Sequence, residues 1–274
     1  MTDLYSSVVT LHALSAGTLP KTQGHLAHGA FLEIVNQVDS NLAQALHDLK
    51  ANKPFTLSEV YGLAQARNGE VRLRAGQECW WRVTLAGEVL FGKFIERFLH
   101  GGARPTICLD EMSFVVSAVM TTPESHAWAG YTTTEEILEK ASDEDRLMLE
   151  FASPVGFSFG NGRIEILPRA DLVFSNLSKK WEAWCGSPLA ASPLDEKWLR
   201  ENVLTAGIQL KSRMVGYGKR LHIGATGTLM YQIFNADDST RRAINTLADF
   251  AFYAGVGHKT TQGMGQVRRV VKHD

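Results

Sequence analysis

Apolar and polar positions alternate at the start of the chain, so Tyr5 to Leu14 reads as a first strand. The stretch after it changes period. Phe31, Val35, Val38, Leu42 and Leu49 recur at spacings near 3.6, which predicts helix with one buried stripe. Asp39-Ser40 predicts a restart within that run, because both residues cap helix N-termini. Asn52-Lys53-Pro54 ends it, since proline cannot continue a helix. Phe55 to Leu63 and Trp80 to Leu85 then read as strands, Glu88 to Leu99 as a helix and Phe114 to Met120 as a strand. The order β-α-β-β-α-β is the ferredoxin-like unit.

The same order returns in the second half. Leu147 to Ala152 predicts a strand, and Leu167 to Trp184 a helix. Gly207 to Val215 and Lys219 to Phe234 predict paired strands around Gly216-Tyr217-Gly218. Arg241 to Ala254 predicts a helix, and Gln266 to Lys272 a last strand. The expected fold class is α+β, two tandem ferredoxin-like domains. Their expected bounds are 1–122 and 146–274, joined by an acidic linker over 123–145 that holds one short helix.

Charge sharpens this picture. The net charge is only −1, yet residues 205–274 hold ten Lys/Arg against four Asp/Glu, and residues 121–150 hold eight acidic residues against two basic ones. Positive charge gathered in the last quarter favours a partner that carries phosphates. Cys79, Cys108 and Cys185 are odd in number and far apart, which argues against a disulfide framework or zinc site and for a reducing cytoplasm. No apolar run reaches the roughly 18 residues that span a bilayer, and the N-terminus lacks the pattern of a signal peptide.

The densest chemistry lies at Gly255-Val256-Gly257-His258-Lys259-Thr260-Thr261-Gln262-Gly263-Met264-Gly265. Four glycines let a backbone approach a ligand closely, and His258, Lys259, Thr260, Thr261 and the following Arg268 suit phosphate oxygens. The segment is neither a dinucleotide fingerprint nor a P-loop: it follows a helix and precedes a strand, and His258 separates Gly257 from Lys259. A plain turn with a helix-capping glycine at Gly255 is the alternative. On the predicted hairpin, Gln209, Lys211 and Arg213 share one sheet face, joined across the turn by Arg220 and His222. A solvated charged hairpin would show the same pattern.

Among nine histidines, His47 has the best company, with Lys50 and Lys53 close by at a helix end that leads into a strand. His25 and His28 stand just before the first helix. Imidazole transfers protons near neutral pH, and lysine offsets charge developing on phosphate. No carboxylate cluster suggests a two-metal nuclease, and no GxSxG elbow suggests a serine hydrolase.

With these residues in view, the chain resembles the CRISPR repeat-RNA processing endoribonucleases of the repeat-associated mysterious protein superfamily. The glycine segment Gly255 to Gly265 is similar to the superfamily's signature. His25 to Phe55, with Leu46-His47 and Lys53-Pro54-Phe55, is similar to the first helical region of its processing nucleases. The resemblance implies tandem ferredoxin-like domains and cleavage of precursor crRNA without a metal or other cofactor. The ribose 2′-hydroxyl would attack the adjacent phosphate, leaving 2′,3′-cyclic phosphate and 5′-hydroxyl ends and producing guide RNAs for antiviral defence. It implies His47 as catalytic acid or base and Lys53 as transition-state support. Some relatives carry a tyrosine where this chain has Leu32, so either His47 acts with Lys53, or His25 or His28 takes the missing part. The implied partner is repeat RNA in a stem-loop, gripped by Lys211, Arg213, Lys219, Arg220 and the glycine segment. A homodimer and association with a CRISPR effector complex both stay open. So does the alternative of a non-cleaving crRNA-binding subunit, with a small-molecule nucleotide enzyme as a third reading.

Overall fold

The computed structural model describes residues 1–99, 105–189, 194–217 and 220–270. The N-terminal half opens with β1 (Asp3–Ala13) and the short β2 (Gly17–Pro20), followed by α1 (Gly24–Asn36) and α2 (Ser40–Asp48). Next come β3 (Phe55–Tyr61), β4 (Glu70–Leu73), β5 (Glu78–Ala86), α3 (Glu88–Leu99), β6 (Thr106–Leu109) and β7 (Met112–Met120). Then follow β8 (Gly130–Thr133) and α4 (Thr134–Lys140). The main sheet runs β3-β5-β1-β7-β6. Its four long strands β1, β3, β5 and β7 therefore stand in the ferredoxin-like order, all antiparallel.

Local chemistry explains the helical part. The expected restart is real: the Asp39 carboxylate accepts from the Leu42 backbone N–H at 3.0 Å, a cap contributing about 1 kcal/mol. Ala27, Phe31, Ile34 and Val35 of α1 pack with Phe55, Trp81, Phe94 and Phe114 in the N-terminal core. Short strands escaped the sequence reading. The pair β2–β4 and the strand β6 have four residues each, too few for alternation to stand out.

The C-terminal half comprises β9 (Arg146–Val155), the small pair β10 (Phe157–Ser158) and β11 (Ile164–Glu165), α5 (Ala170–Cys185) and α6 (Glu196–Asn202). It continues with β12 (Val203–Tyr217), β13 (Arg220–Ile233), α7 (Asp238–Ala254) and β14 (Val267–Arg269). The sheet order β12-β13-β9-β14 repeats the ferredoxin-like arrangement. Phe174, Trp181, Tyr231, Leu247 and Phe250 fill its core, and Leu4 and Ala86 of the first sheet join them. The last strand is shorter than expected, and Val271 and Lys272 lie outside the described residues.

The acidic stretch read as a linker is partly built into the fold. β8 pairs with β1 over Asp3 to Ser6, and the Trp128 carbonyl accepts from Ser6 Oγ at 2.5 Å while its ring stacks on Phe252 at 5.8 Å. Its polar composition concealed this, because a four-residue edge strand needs only one buried position. Arg82 of β5 pins the halves together. It is fully buried, donating to Ser6 Oγ at 2.8 Å, Gln266 Oε1 at 2.5 Å and the Phe252 carbonyl at 2.6 Å. Its guanidinium also lies over the rings of Phe252 at 4.3 Å and Trp128 at 4.9 Å. The three cysteines are free thiols, and no described helix is long and apolar enough to cross a membrane.

Candidate active site

Histidine spacing on α1 decides which imidazole enters the site. His25 and His28 are one turn apart: His25 is exposed, whereas His28 is half-buried with its ring 5.9 Å from that of Phe55. Leu32, on the next turn, packs against the core. His28 Nδ1 lies 3.0 Å from the Thr261 carbonyl oxygen. A carbonyl can only accept, so Nδ1 carries the proton and Nε2 is the basic atom of the neutral ring. Burial lowers the His28 pKa below the ordinary imidazole value. The charges of Lys53, His47 and Lys259 push the same way, and the Thr261 bond opposes them.

His47 sits exposed at the last turn of α2. Lys53 Nζ donates to the carbonyl of His47 at 2.9 Å and to that of Leu46. A cation at a helix C-terminus meets both unpaired carbonyls and the negative dipole end. The ammonium thereby holds the backbone that carries His47. Partial burial lowers the Lys53 pKa, with Asp48 opposing. His47, Lys53 and Lys259 all lie close enough to His28 for their charges to act on its ring, and Lys259 comes from the far end of the chain. Among the described residues, no three His, Cys, Asp or Glu side chains converge so as to hold a metal ion.

The glycine segment differs from expectation. Its glycine amides are not presented to a ligand. Gly255 N–H donates to Ala251 O at 2.9 Å, Gly257 to Asn176 Oδ1 at 2.9 Å, Gly263 to Leu57 O at 3.1 Å and Gly265 to Pro154 O at 2.9 Å. All four glycines are buried at positive φ. They let the loop thread between β9 and β3 rather than cradle phosphate. At Gly24 a Cβ would stand 1.8 Å from the Gln262 carbonyl oxygen, so only glycine admits this approach of the two halves.

Other residues of the segment are likewise engaged. His258 Nδ1 lies 2.8 Å from Gly156 O, and its ring packs 5.6 Å from that of His222. Thr260 is buried, and Lys259 Nζ donates to Gln262 Oε1 at 2.8 Å. Arg268 is paired with Glu150 at 2.6 Å and lies over Trp128 at 4.9 Å. Of the expected loop contacts, Lys259 and Thr261 are half-exposed beside His28.

Residues that hold this loop were missed in the sequence. Lys180 is buried on α5, and its Nζ donates to Ala254 O at 2.7 Å, Gly255 O at 3.0 Å and Thr260 Oγ1 at 3.3 Å. Burial pushes its pKa down to about 7. A signal did exist: Lys180 interrupts the apolar stripe Val173, Leu177, Trp181 and Trp184, where a lone lysine demands buried acceptors.

On the hairpin, register places Lys211 opposite Thr226, Arg213 opposite Gly224 and His222 opposite Val215. Lys211, Arg213 and His222 therefore share the expected face, and Lys211 and Arg213 are exposed. Lys219 and the side chain of Arg220 lie outside the described residues, as do His100 and His273. The remaining two histidines have local partners: His12 Nε2 is 3.8 Å from Glu78, and His126 Nδ1 accepts from the Trp128 N–H at 3.1 Å.

Residues 4–139 match the family model described as the CRISPR Cas6 N-terminal domain, and residues 149–267 match that of the CRISPR-associated endoribonuclease Cas6. A Cas6 product complex is similar at 29% identity and TM-score 0.79, covering 97% of this chain and 100% of that one. Cas6 of Thermus thermophilus is similar at 26% identity and TM-score 0.72, covering 98% and 99%. A protein described as a RAMP binding different RNA substrates shares the fold at 15% identity and TM-score 0.65, covering 97% and 100%. No curated protein matches the chain.

Proposed function

The chain belongs to the Cas6 family of CRISPR-associated endoribonucleases, and from that premise we propose that it cuts CRISPR repeat RNA without a metal ion, using the site between α1 and α2. The observation that carries the reading is His28, its Nδ1 bound to Thr261 O at 3.0 Å and its ring within electrostatic reach of His47, Lys53 and Lys259.

The chemistry follows from those groups. His28 is held in the tautomer that leaves Nε2 free to accept, and its lowered pKa keeps it neutral near pH 7. It takes the proton of the ribose 2′-hydroxyl. The 2′-oxygen then bonds to the adjacent phosphorus while the bond to the 5′-oxygen breaks. His47 gives a proton to that leaving oxygen. The products are a 2′,3′-cyclic phosphate and a 5′-hydroxyl, and proton transfer is balanced between the two imidazoles. Lys53 and Lys259 stabilise the charge that develops on the non-bridging oxygens. In this reading the unit 1–122 supplies the imidazoles. The unit 146–274 supplies the loop that orients His28 and the exposed Lys211 and Arg213, which bind backbone phosphates of a repeat stem-loop.

The test is cleavage of 5′-labelled cognate repeat RNA in EDTA by wild type, His28→Ala and His47→Ala. One cut ending in a cyclic phosphate and lost in both variants supports the assignment. Full activity in either variant removes that residue from the mechanism. A wild type that binds the repeat and never cuts it leaves a crRNA-binding subunit instead.

A further inference from the structure

The register of β3 slips between Leu57 and Val60, and a bulge of this kind re-aims side chains. At the slip, Ser58 forms an isolated parallel bridge with Gly263 of the glycine loop. Glu59 is thereby turned into the cleft between the two halves. The Gln23 backbone N–H lies near its carboxylate, whose Oε1 is buried with no hydrogen-bond partner. Such buried acceptors are rare, because leaving one without a donor is costly.

The surroundings suit a nucleotide. The cleft has a volume of about 430 Å³ and is lined by Lys21, Gln23, Glu59, Tyr61, Gln65 and Arg213, a size in the range of small-molecule sites. Lys21 comes from the N-terminal half and Arg213 from the hairpin, so cations from both sides flank the carboxylate. Tyr61 packs its ring 4.3 Å from that of Trp80, adding an aromatic wall. Burial raises the Glu59 pKa to about 7, opposed by Arg213, the Gln23 N–H and Lys21. The cleft also adjoins the cleavage site: a Cβ on Gly263 would meet Glu59 Cγ at 2.8 Å, and the same loop carries Thr261.

In its ionised form, which the charges of Arg213 and Lys21 favour, the carboxylate only accepts. Of the four RNA bases, guanine alone presents two adjacent donors on its Watson–Crick edge, N1–H and the N2 amino group. Adenine, cytosine and uracil each set an acceptor next to their donor, which a carboxylate repels. We propose that Glu59 is a specificity-determining residue that reads an unpaired guanine of the RNA substrate through N1–H and N2–H, in the cleft between β3 and β12. Lys21 and Arg213 bind the phosphates on either side. This rests on the RNA-cleaving reading above.

The test uses the cognate repeat RNA and a set in which each unpaired guanosine is replaced singly by inosine, which lacks the N2 amino group. Binding is measured for wild type, E59Q and E59A, with melting temperatures to confirm folding. At one position inosine weakens wild-type binding by about tenfold, within the discrimination expected of a bidentate contact. E59Q, nearly isosteric with glutamate, binds the parent repeat about tenfold more weakly and shows no further loss with inosine there. The proposal is overturned if no position carries an inosine penalty in the wild type, or if the penalty persists in E59Q. A wild type with no affinity for the parent repeat would instead fail the RNA-cleaving reading itself, and this subsite with it.

Discussion

His28 Nδ1 lies 3.0 Å from the carbonyl oxygen of Thr261, a residue 233 positions further along the chain. A group on the first helix of the N-terminal half is thus oriented by a loop of the C-terminal half. The loop is in turn held by Lys180 and Asn176 of α5.

The pH dependence of cleavage tests the role of His28. Its folded pKa lies below the ordinary 6.5, and a general base acts in its neutral form. The rate should therefore rise with pH through that lowered value, as the acid limb of the bell-shaped profile an acid–base pair gives. His28→Ala should lose this rising limb along with about 10²–10⁴-fold in rate, the usual contribution of acid–base groups. Single-turnover cleavage from pH 4.5 to 8 is the measurement.

Contact between the halves at Gly24 should matter for rate more than for binding. Its Cβ would stand 1.8 Å from the Gln262 carbonyl oxygen, backbone that cannot yield without moving the loop. G24A should displace Thr261 and His28 together and slow cleavage by about 100-fold, since small misplacements cost that much. Repeat-RNA affinity should stay within a few-fold, read by comparing single-turnover rate with Kd.

Lys180 predicts a pH-dependent stability. Its pKa is about 7 in the folded protein against 10.5 as the reference value. Between these values the unfolded chain holds a proton that the native protein lacks, so raising pH stabilises the fold. Relative to K180M, the wild type should gain stability on the order of 1 kcal/mol per pH unit across this window. Urea unfolding of both proteins at pH 7.5 and 9 measures the difference, and an unchanged gap would contradict it.

Salt dependence separates exposed cations from paired ones. Lys211 and Arg213 are exposed, so replacing either with alanine should weaken repeat-RNA binding and lower the slope of log K against log salt by about 1. Arg268 is paired with Glu150 at 2.6 Å, so R268A should leave that slope unchanged. Titrations at several salt concentrations distinguish the cases.

Much of the fold was legible because long elements carry their period in the chain. α3 spans Glu88–Leu99 as expected, and the Asp39 cap stands where a helix restart was read. The two-residue strands β10 and β11 lack enough positions for any period. The four-residue β8 is an edge strand in a polar stretch, legible only beside β1.

By itself, the amino-acid sequence determined the repeated β-α-β-β-α-β order, the concentration of charge in the last quarter and the residue types available for proton transfer. These are properties of neighbours along the chain. Tertiary structure decided which histidine faces a partner, because His28 and Thr261 meet only after both halves fold. It also decided the use of the glycines. A positive φ can present an amide to a phosphate or bring two backbones into contact, and local sequence is the same in either case. Here Gly263 N–H meets the Leu57 carbonyl at 3.1 Å, so this glycine joins the two halves. Glu59 looked like one more strand residue until the bulge in β3 and the approach of β12 enclosed its carboxylate. Burial is set by what packs against a residue from elsewhere in the chain.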